Sequence, residues 1–148
     1  MDYTEILEKL PYSVPFLFVD KLVNIDEKSA EGFYTFPIDS FFYKGHFKNN
    51  PVTPGVILTE CMAQIGVVCL GIFLLQEEKN EPLDIKLGLS SSEVDFYLPV
   101  FPGDTVRVVS EKLFFRFNKL KCEVRMYDKS DKLICRGKIA GMVKGKSV

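Results

Sequence analysis

Histidine is almost absent from this chain of 148 residues: His46 is the single one. A metal centre built from several imidazoles is thereby excluded. The four cysteines, Cys61, Cys69, Cys122 and Cys135, contain no C-x-x-C pair, and one histidine cannot complete a zinc set with them. They are expected to be buried, reduced thiols. An excess of positive charge is also missing. With 19 basic against 20 acidic side chains the net charge is −1, which argues against a duplex nucleic-acid partner. The N-terminal Met1-Asp2-Tyr3-Thr4-Glu5 is acidic and has no apolar run, so no signal peptide and a cytoplasmic location are expected. Repeats, linkers and low-complexity segments are lacking too. What remains is apolar: 47% of residues are hydrophobic, including 13 Phe, enough to build a sizeable core and exclude disorder. The length suits one domain spanning residues 1–148.

The order of local patterns points to an α+β fold. A short helix is predicted from Tyr3 to Leu10, stopped by Pro11. Strands rich in aromatic and β-branched residues are predicted over Phe16–Ile25 and Ser29–Phe36, joined by the polar turn Asp26-Glu27-Lys28. An irregular stretch, Pro37–Thr53, carries Gly45 and His46. Pro54–Gln76 is almost wholly apolar and reads as one long helix, with Thr53 as N-cap and Pro54 at its first position. Strands follow over Ile85–Leu98, Asp104–Phe117, Leu120–Tyr127 and Leu133–Val143. Between Leu120 and Tyr127 apolar and polar residues alternate, as in a strand with one buried face. Strands, one helix, then a run of strands is α+β rather than alternating β and α.

A helix that is apolar all round must be buried. The run is long enough to span a bilayer. Glu60 and Gln64 lie inside it, however, and no Lys or Arg cluster flanks it, so membrane insertion is not expected. A curved sheet of about six antiparallel strands wrapped round the helix would bury every face.

On that helix, at 100° per residue, Thr53, Glu60, Gln64 and Gly71 fall within about 40° of one another. One polar stripe on an apolar helix thus holds a carboxyl group, which is costly to bury unless hydrogen-bonded, paired or protonated. His46 lies just upstream, in Tyr43-Lys44-Gly45-His46-Phe47, and imidazole is the side chain suited to proton transfer near neutral pH. Taken singly, the glutamate could be satisfied by a neighbouring amide and the histidine could be a surface residue. The helix start, Pro54-Gly55-Val56, adds unpaired N–H groups and the positive end of the helix dipole, able to stabilise charge on an oxygen. Base, acid and oxyanion donor together fit elimination or hydrolysis at a carbonyl compound.

Gly45-His46-Phe47, Pro51-Val52-Thr53-Pro54-Gly55-Val56 and Glu60-Cys61-Met62-Ala63-Gln64 resemble the signature of the hot-dog-fold 3-hydroxyacyl-[acyl-carrier-protein] dehydratases of FabZ type. Leu10-Pro11, Pro15-Phe16-Leu17-Phe18-Val19-Asp20 and Pro99-Val100-Phe101-Pro102-Gly103-Asp104 are similar to further segments of that family, so the match runs from about Leu10 to Gly141. Lys48 and Asn49 stand where the family has Pro and Gly, and Tyr12-Ser13-Val14 lacks its common basic residues.

The resemblance implies a hot-dog fold and a cofactor-independent, metal-free hydro-lyase. The substrate would be a (3R)-3-hydroxyacyl thioester on the phosphopantetheine of acyl carrier protein, in fatty-acid or related acyl-chain biosynthesis, and the product a trans-2-enoyl thioester. It implies His46 as general base, Glu60 as acid, the backbone at Gly55 and Val56 as oxyanion donor, and Gln64 as the group orienting Glu60. Dehydratase-isomerases of FabA type carry Asp at the helix position, so Glu60 favours simple dehydration. A homodimer with shared sites is implied, His46 of one subunit facing Glu60 of the other, with trimers of dimers as the larger form. Lys44, Lys48, Arg116, Lys119 and Lys121 are candidates for docking the acidic carrier. The alternatives are a hot-dog acyl thioesterase and a non-catalytic acyl-binding partner subunit.

Overall fold

The structure is a computed structural model and describes residues 3–79 and 86–144. Helix α1 (Thr4–Glu8) precedes strands β1 (Lys21–Ile25) and β2 (Ser29–Thr35). A single 3-10 turn (Phe41–Lys44) leads to the long helix, which has three parts: α2 (Gly55–Ala63), a π-helical turn (Gln64–Val68) and α3 (Cys69–Lys79). Strands β3 (Lys86–Phe96), β4 (Thr105–Arg116), β5 (Lys119–Tyr127) and β6 (Leu133–Lys144) complete the chain. Every pairing is antiparallel, and the six strands lie in the order β1-β2-β4-β5-β6-β3.

The long helix packs on β2, β4, β5 and β6 through its middle, and its Cys61, Met62, Ile65, Cys69, Leu70 and Ile72 are wholly buried. The inner face of the sheet answers with Val106, Val108, Leu120, Cys122, Val124, Met126 and Ile139. Alternation along β5 is as expected: Leu120, Cys122, Val124 and Met126 point inward, while Lys121, Glu123, Arg125 and Tyr127 stay half-buried. Burial of this apolar surface, not propensity, holds the helix in place. The hydrophobic stretch Gly55–Gln76 is therefore the core helix of the hot-dog arrangement. All four cysteines are buried and unpaired, and burial pushes the thiols of Cys122 and Cys135 up to about 12.

Several expected boundaries are corrected. The first helix is shorter, Thr4–Glu8. The first strand begins at Lys21, not Phe16, because the Phe18 N–H and Phe16 C=O are taken by the Gln64 side chain instead of a neighbouring strand. Thr53 does not cap the long helix: Pro54, in extended backbone, is the N-cap, and the Thr53 hydroxyl bonds that of Tyr43 at 2.6 Å. The helix runs on past Gln76 to Lys79. Phe117 belongs to the turn between β4 and β5 rather than to a strand. Ile85 lies outside the described residues.

Candidate active site

His46 sits on a loop whose main chain is tied down on both sides. Its N–H donates to the Phe42 carbonyl (3.1 Å), and its carbonyl accepts from the Val52 N–H (2.8 Å). Its ring Nδ1 lies 2.9 Å from the Val52 carbonyl. A carbonyl can only accept, so Nδ1 carries the hydrogen, and in neutral imidazole Nε2 is left with its lone pair free. The ring stacks on Phe47, with centroids 4.1 Å apart. Asn49 adopts φ 60, the left-handed region tolerated by glycine and asparagine, so the residue replacing the family's glycine still fits a turn there.

The chain enters the helix through a β-type link, the Thr53 N–H donating to the Val100 carbonyl at 2.8 Å. The amides of Gly55 and Val56 follow, and neither donates to a protein acceptor among the described residues. A Cβ at Gly55 would come within 3.2 Å of the Phe96 ring, so the missing side chain lets β3 close against the helix start. Thr53, Gly55, Leu58, Phe96, Tyr97 and Leu98 line a surface recess of about 320 Å3 there.

One and a half turns further along, Glu60 and Gln64 form the only part of the predicted polar stripe that lies on the helix surface as expected. Thr53 precedes the helix, and Gly71, beyond the π-helical turn, packs on Leu87 and Leu120. Gln64 is completely buried, and its amide makes three hydrogen bonds. Oε1 accepts from the Phe18 N–H (2.8 Å), while Nε2 donates to the Phe16 carbonyl (3.0 Å) and to Glu60 Oε2 (2.9 Å). These partners leave the amide no freedom to flip. Burial raises the Glu60 carboxyl above its ordinary value, and the bond from Gln64 offsets part of that rise. The carboxyl faces a cavity of about 30 Å3 between the helix and the β3–β6 pair.

Within one chain, no hydrogen bond or ion pair among the described residues joins His46 to Glu60, and His46 does not line the Glu60 cavity. Of the basic candidates, Lys44 and Lys48 flank His46 and are exposed, whereas Arg116, Lys119 and Lys121 lie at the β4–β5 turn and along β5. The local patterns do not reveal the Val52 carbonyl as the partner of His46, or Tyr12 as a wall of the Glu60 cavity. The first has no sequence signal, since any residue supplies a carbonyl. The second had one, the departure at Leu10-Pro11-Tyr12 from the family's basic segment.

Residues 10–146 match the family model described as the FabA-like domain. The 3-hydroxyacyl-[acyl-carrier-protein] dehydratase FabZ of Caldicellulosiruptor saccharolyticus is 34% identical over 144 residues, covering 97% of this chain and 99% of that one. Among solved structures, the dehydratase heterocomplex ApeI:P from Xenorhabdus doucetiae superposes with a TM-score of 0.80 at 14% identity, over 96% of this chain and 92% of that one. A hypothetical thioesterase of Streptococcus pneumoniae, solved with coenzyme A, superposes with a TM-score of 0.64 at 8% identity, over 97% and 98% of the two chains. At such identities the structural likeness shows the hot-dog fold alone, which dehydratases and thioesterases share. With residues 10–146 of this chain matching the family model and a FabZ relative aligned over 99% of its own length, this chain belongs to the FabA-like family of hot-dog proteins, on its FabZ dehydratase side.

Proposed function

We propose that this chain acts as a 3-hydroxyacyl-[acyl-carrier-protein] dehydratase of fatty-acid or related acyl-chain biosynthesis, with His46 and Glu60 as its working pair, supplied by two subunits. The observation that carries this reading is the complementary preparation of the two groups. His46 presents a free Nε2 because Val52 holds its Nδ1–H, and Glu60 is biased toward its protonated form by burial while Gln64 fixes its direction.

In the forward direction His46 Nε2 takes the proton next to the thioester carbonyl. The negative charge that develops on the carbonyl oxygen is met by the free Gly55 and Val56 N–H groups at the positive end of the helix. Glu60 gives its proton to the 3-hydroxyl, the C–O bond breaks, and water leaves with the trans-2-enoyl thioester formed. The proton gained by His46 and the one lost by Glu60 are exchanged through water before the next cycle. The reaction uses no metal or organic cofactor. It runs in either direction, so the enzymes alongside decide its net flow, and the cytoplasm is where the carrier substrate would be met.

The separation of the pair within one chain supports assembly of the site from two copies. Glu60 opens beside Leu87, Gly88 and Leu89 at the start of β3, whereas Gly55 packs against Phe96 at its end. β3 is an edge strand of 11 residues that, among the described residues, pairs only with β6, and Gly88 to Glu93 are exposed along it. A long bare edge invites pairing with another strand. Two β3 edges joined antiparallel about a two-fold axis bring the end of each strand beside the start of the other, and so the His46 side of one copy toward Glu60 of its partner. Trimers of such dimers would be the larger assembly. Lys44 and Lys48, beside His46, are the stronger candidates to steer an acidic carrier; Arg116, Lys119 and Lys121 form a second group.

Turnover of a 3-hydroxyacyl carrier thioester tests the reaction class. Enoyl absorbance without free thiol is expected; thiol release would mean a thioesterase, and neither product a non-catalytic acyl-binding subunit. His46→Ala and Glu60→Gln are each expected to lower turnover by about a hundredfold or more, the usual loss with a general acid or base. Turnover near parental in either variant would remove that residue from the mechanism.

A further inference from the structure

The cavity behind Glu60 has one wall that belongs to no helix or strand. Val67 comes from the π-helical turn and Leu87, Ile139 and Gly141 from β3 and β6, all packed into the core. Gly88 and Leu89 line it from the exposed β3 edge, and Tyr12 closes it from the loop between α1 and β1, with its ring half-buried against Phe16, centroids 6.4 Å apart. The cavity measures about 30 Å3, room for about two waters. Apart from Glu60 and Tyr12 the side chains that line it are apolar. An acyl chain longer than a few carbons needs more room than this cavity gives beside Tyr12.

We propose that Tyr12 is the specificity-determining wall of an acyl pocket behind Glu60, closing it so that short 3-hydroxyacyl chains are preferred over long ones. This rests on Glu60 being the catalytic acid. The core walls resist displacement, Val67 being 2% exposed and Ile139 fully buried, and Leu89 lies on the β3 edge that the partner copy would cover, so Tyr12 is the wall that this chain's own loop sets. The loop that carries Tyr12 is tied at Phe16 and Phe18 by the same Gln64 amide that orients Glu60, and Tyr12 itself packs on the Phe16 ring. The wall and the acid therefore keep a fixed relation. Burial and the nearby Glu60 carboxylate push the phenol up to about 12, so Tyr12 stays uncharged and compatible with a hydrocarbon chain. Basic residues, which the family commonly carries in this segment, would set a different wall.

The test compares kcat/KM for the N-acetylcysteamine thioesters of 3-hydroxybutyrate, 3-hydroxyoctanoate and 3-hydroxydodecanoate in the parent, Tyr12→Ala, Tyr12→Phe and Glu60→Gln. The parent is expected to favour the butyryl substrate. Tyr12→Ala should raise the ratio of dodecanoyl to butyryl kcat/KM by about tenfold or more, at least what one methylene is worth in an apolar pocket. Tyr12→Phe, which keeps the ring, should leave the ratio at the parental value. A parent that already favours the dodecanoyl substrate, an unchanged ratio in Tyr12→Ala, or an equal shift in Tyr12→Phe overturns the role given to the ring. Should Tyr12→Ala melt below the assay temperature, Tyr12→Leu opens the same space with an apolar side chain and is read identically. Glu60→Gln separates the two layers: its retained turnover would sink the assignment of the acid, whereas a dead Glu60→Gln with an unmoved Tyr12→Ala sinks the wall alone.

Discussion

Gln64 ties together more of the site than any other side chain. Its three hydrogen bonds join the loop before β1 to the helix and orient Glu60. Replacing it by Leu strands the Phe18 N–H and Phe16 C=O, and each buried, unsatisfied group costs about 1–3 kcal/mol. Gln64→Leu should therefore lose roughly 3 kcal/mol in denaturant unfolding and also lower kcat, because the acid is no longer held. Loss of stability without any change in kcat would reduce Gln64 to scaffolding. Glu60 leaves a signature of its own in the pH dependence of stability. Its carboxyl is raised when folded, so the folded protein retains a proton that the unfolded chain has already released. Below the unfolded pKa both states are protonated and Glu60 has no effect on slope; as pH rises through the folded pKa the parent loses stability. Glu60→Gln lacks that loss and should gain on the parent as pH rises above the unfolded carboxyl's range toward neutral, measured by chemical denaturation at a series of pH values. Parallel curves would contradict a raised Glu60. At this scale the sequence was informative where spacing alone decides: a step of four positions from Glu60 to Gln64 puts them in contact. It was silent on Val52, whose part is played by a main-chain carbonyl.

The long helix changes character at Gln64–Val68, where a π-helical turn widens it. Gly66 lies there against Ser110 and Val124, where a Cβ would come within 3.0 Å of the Ser110 side chain, and the buried Ser110 hydroxyl donates to its carbonyl at 2.8 Å. That contact comes from β4, far along the chain, so a 100° ruler laid on the sequence carries Gly71 into a stripe where it does not belong. Strand β5 was legible because each residue meets a buried or a wet face by turns, whereas Phe16–Asp20 had the composition of a strand but found its partners in a side chain. The β4–β5 hairpin turns on Phe117 and Asn118, at φ 52 and 61, with Arg116 paired to Lys119. Such two-residue turns favour Asn-Gly, and a left-handed bulky residue costs about 1–2 kcal/mol. Phe117 is 89% exposed, so its ring has little packing to lose. Phe117→Asn should stabilise the protein by about 1 kcal/mol in thermal or denaturant melts. A destabilised variant would mean that the aromatic ring holds the hairpin by a contact beyond this chain.

On the scale of the whole molecule, a six-stranded sheet and a long buried helix account for the apolar surplus, with the half-buried Glu60 on that mostly apolar helix. The hot-dog architecture was legible through the ordered motifs around His46 and Glu60. The strand order was not: β3 follows the helix yet lies at the far edge beside β6, a pairing between segments far apart in sequence that local patterns do not encode. That placement leaves β3 bare along its outer edge and frames the central claim, an active site completed by a second copy. Co-expression of His46→Ala and Glu60→Gln chains tests it most directly. If each site takes His46 from one copy and Glu60 from the other, a mixed dimer holds one intact site and one doubly altered site. The mixture should then recover about a quarter of parental activity from two inactive parents, half the dimers being mixed with one working site each. A mixed population with confirmed exchange and no more activity than either variant alone would contradict a site shared between subunits.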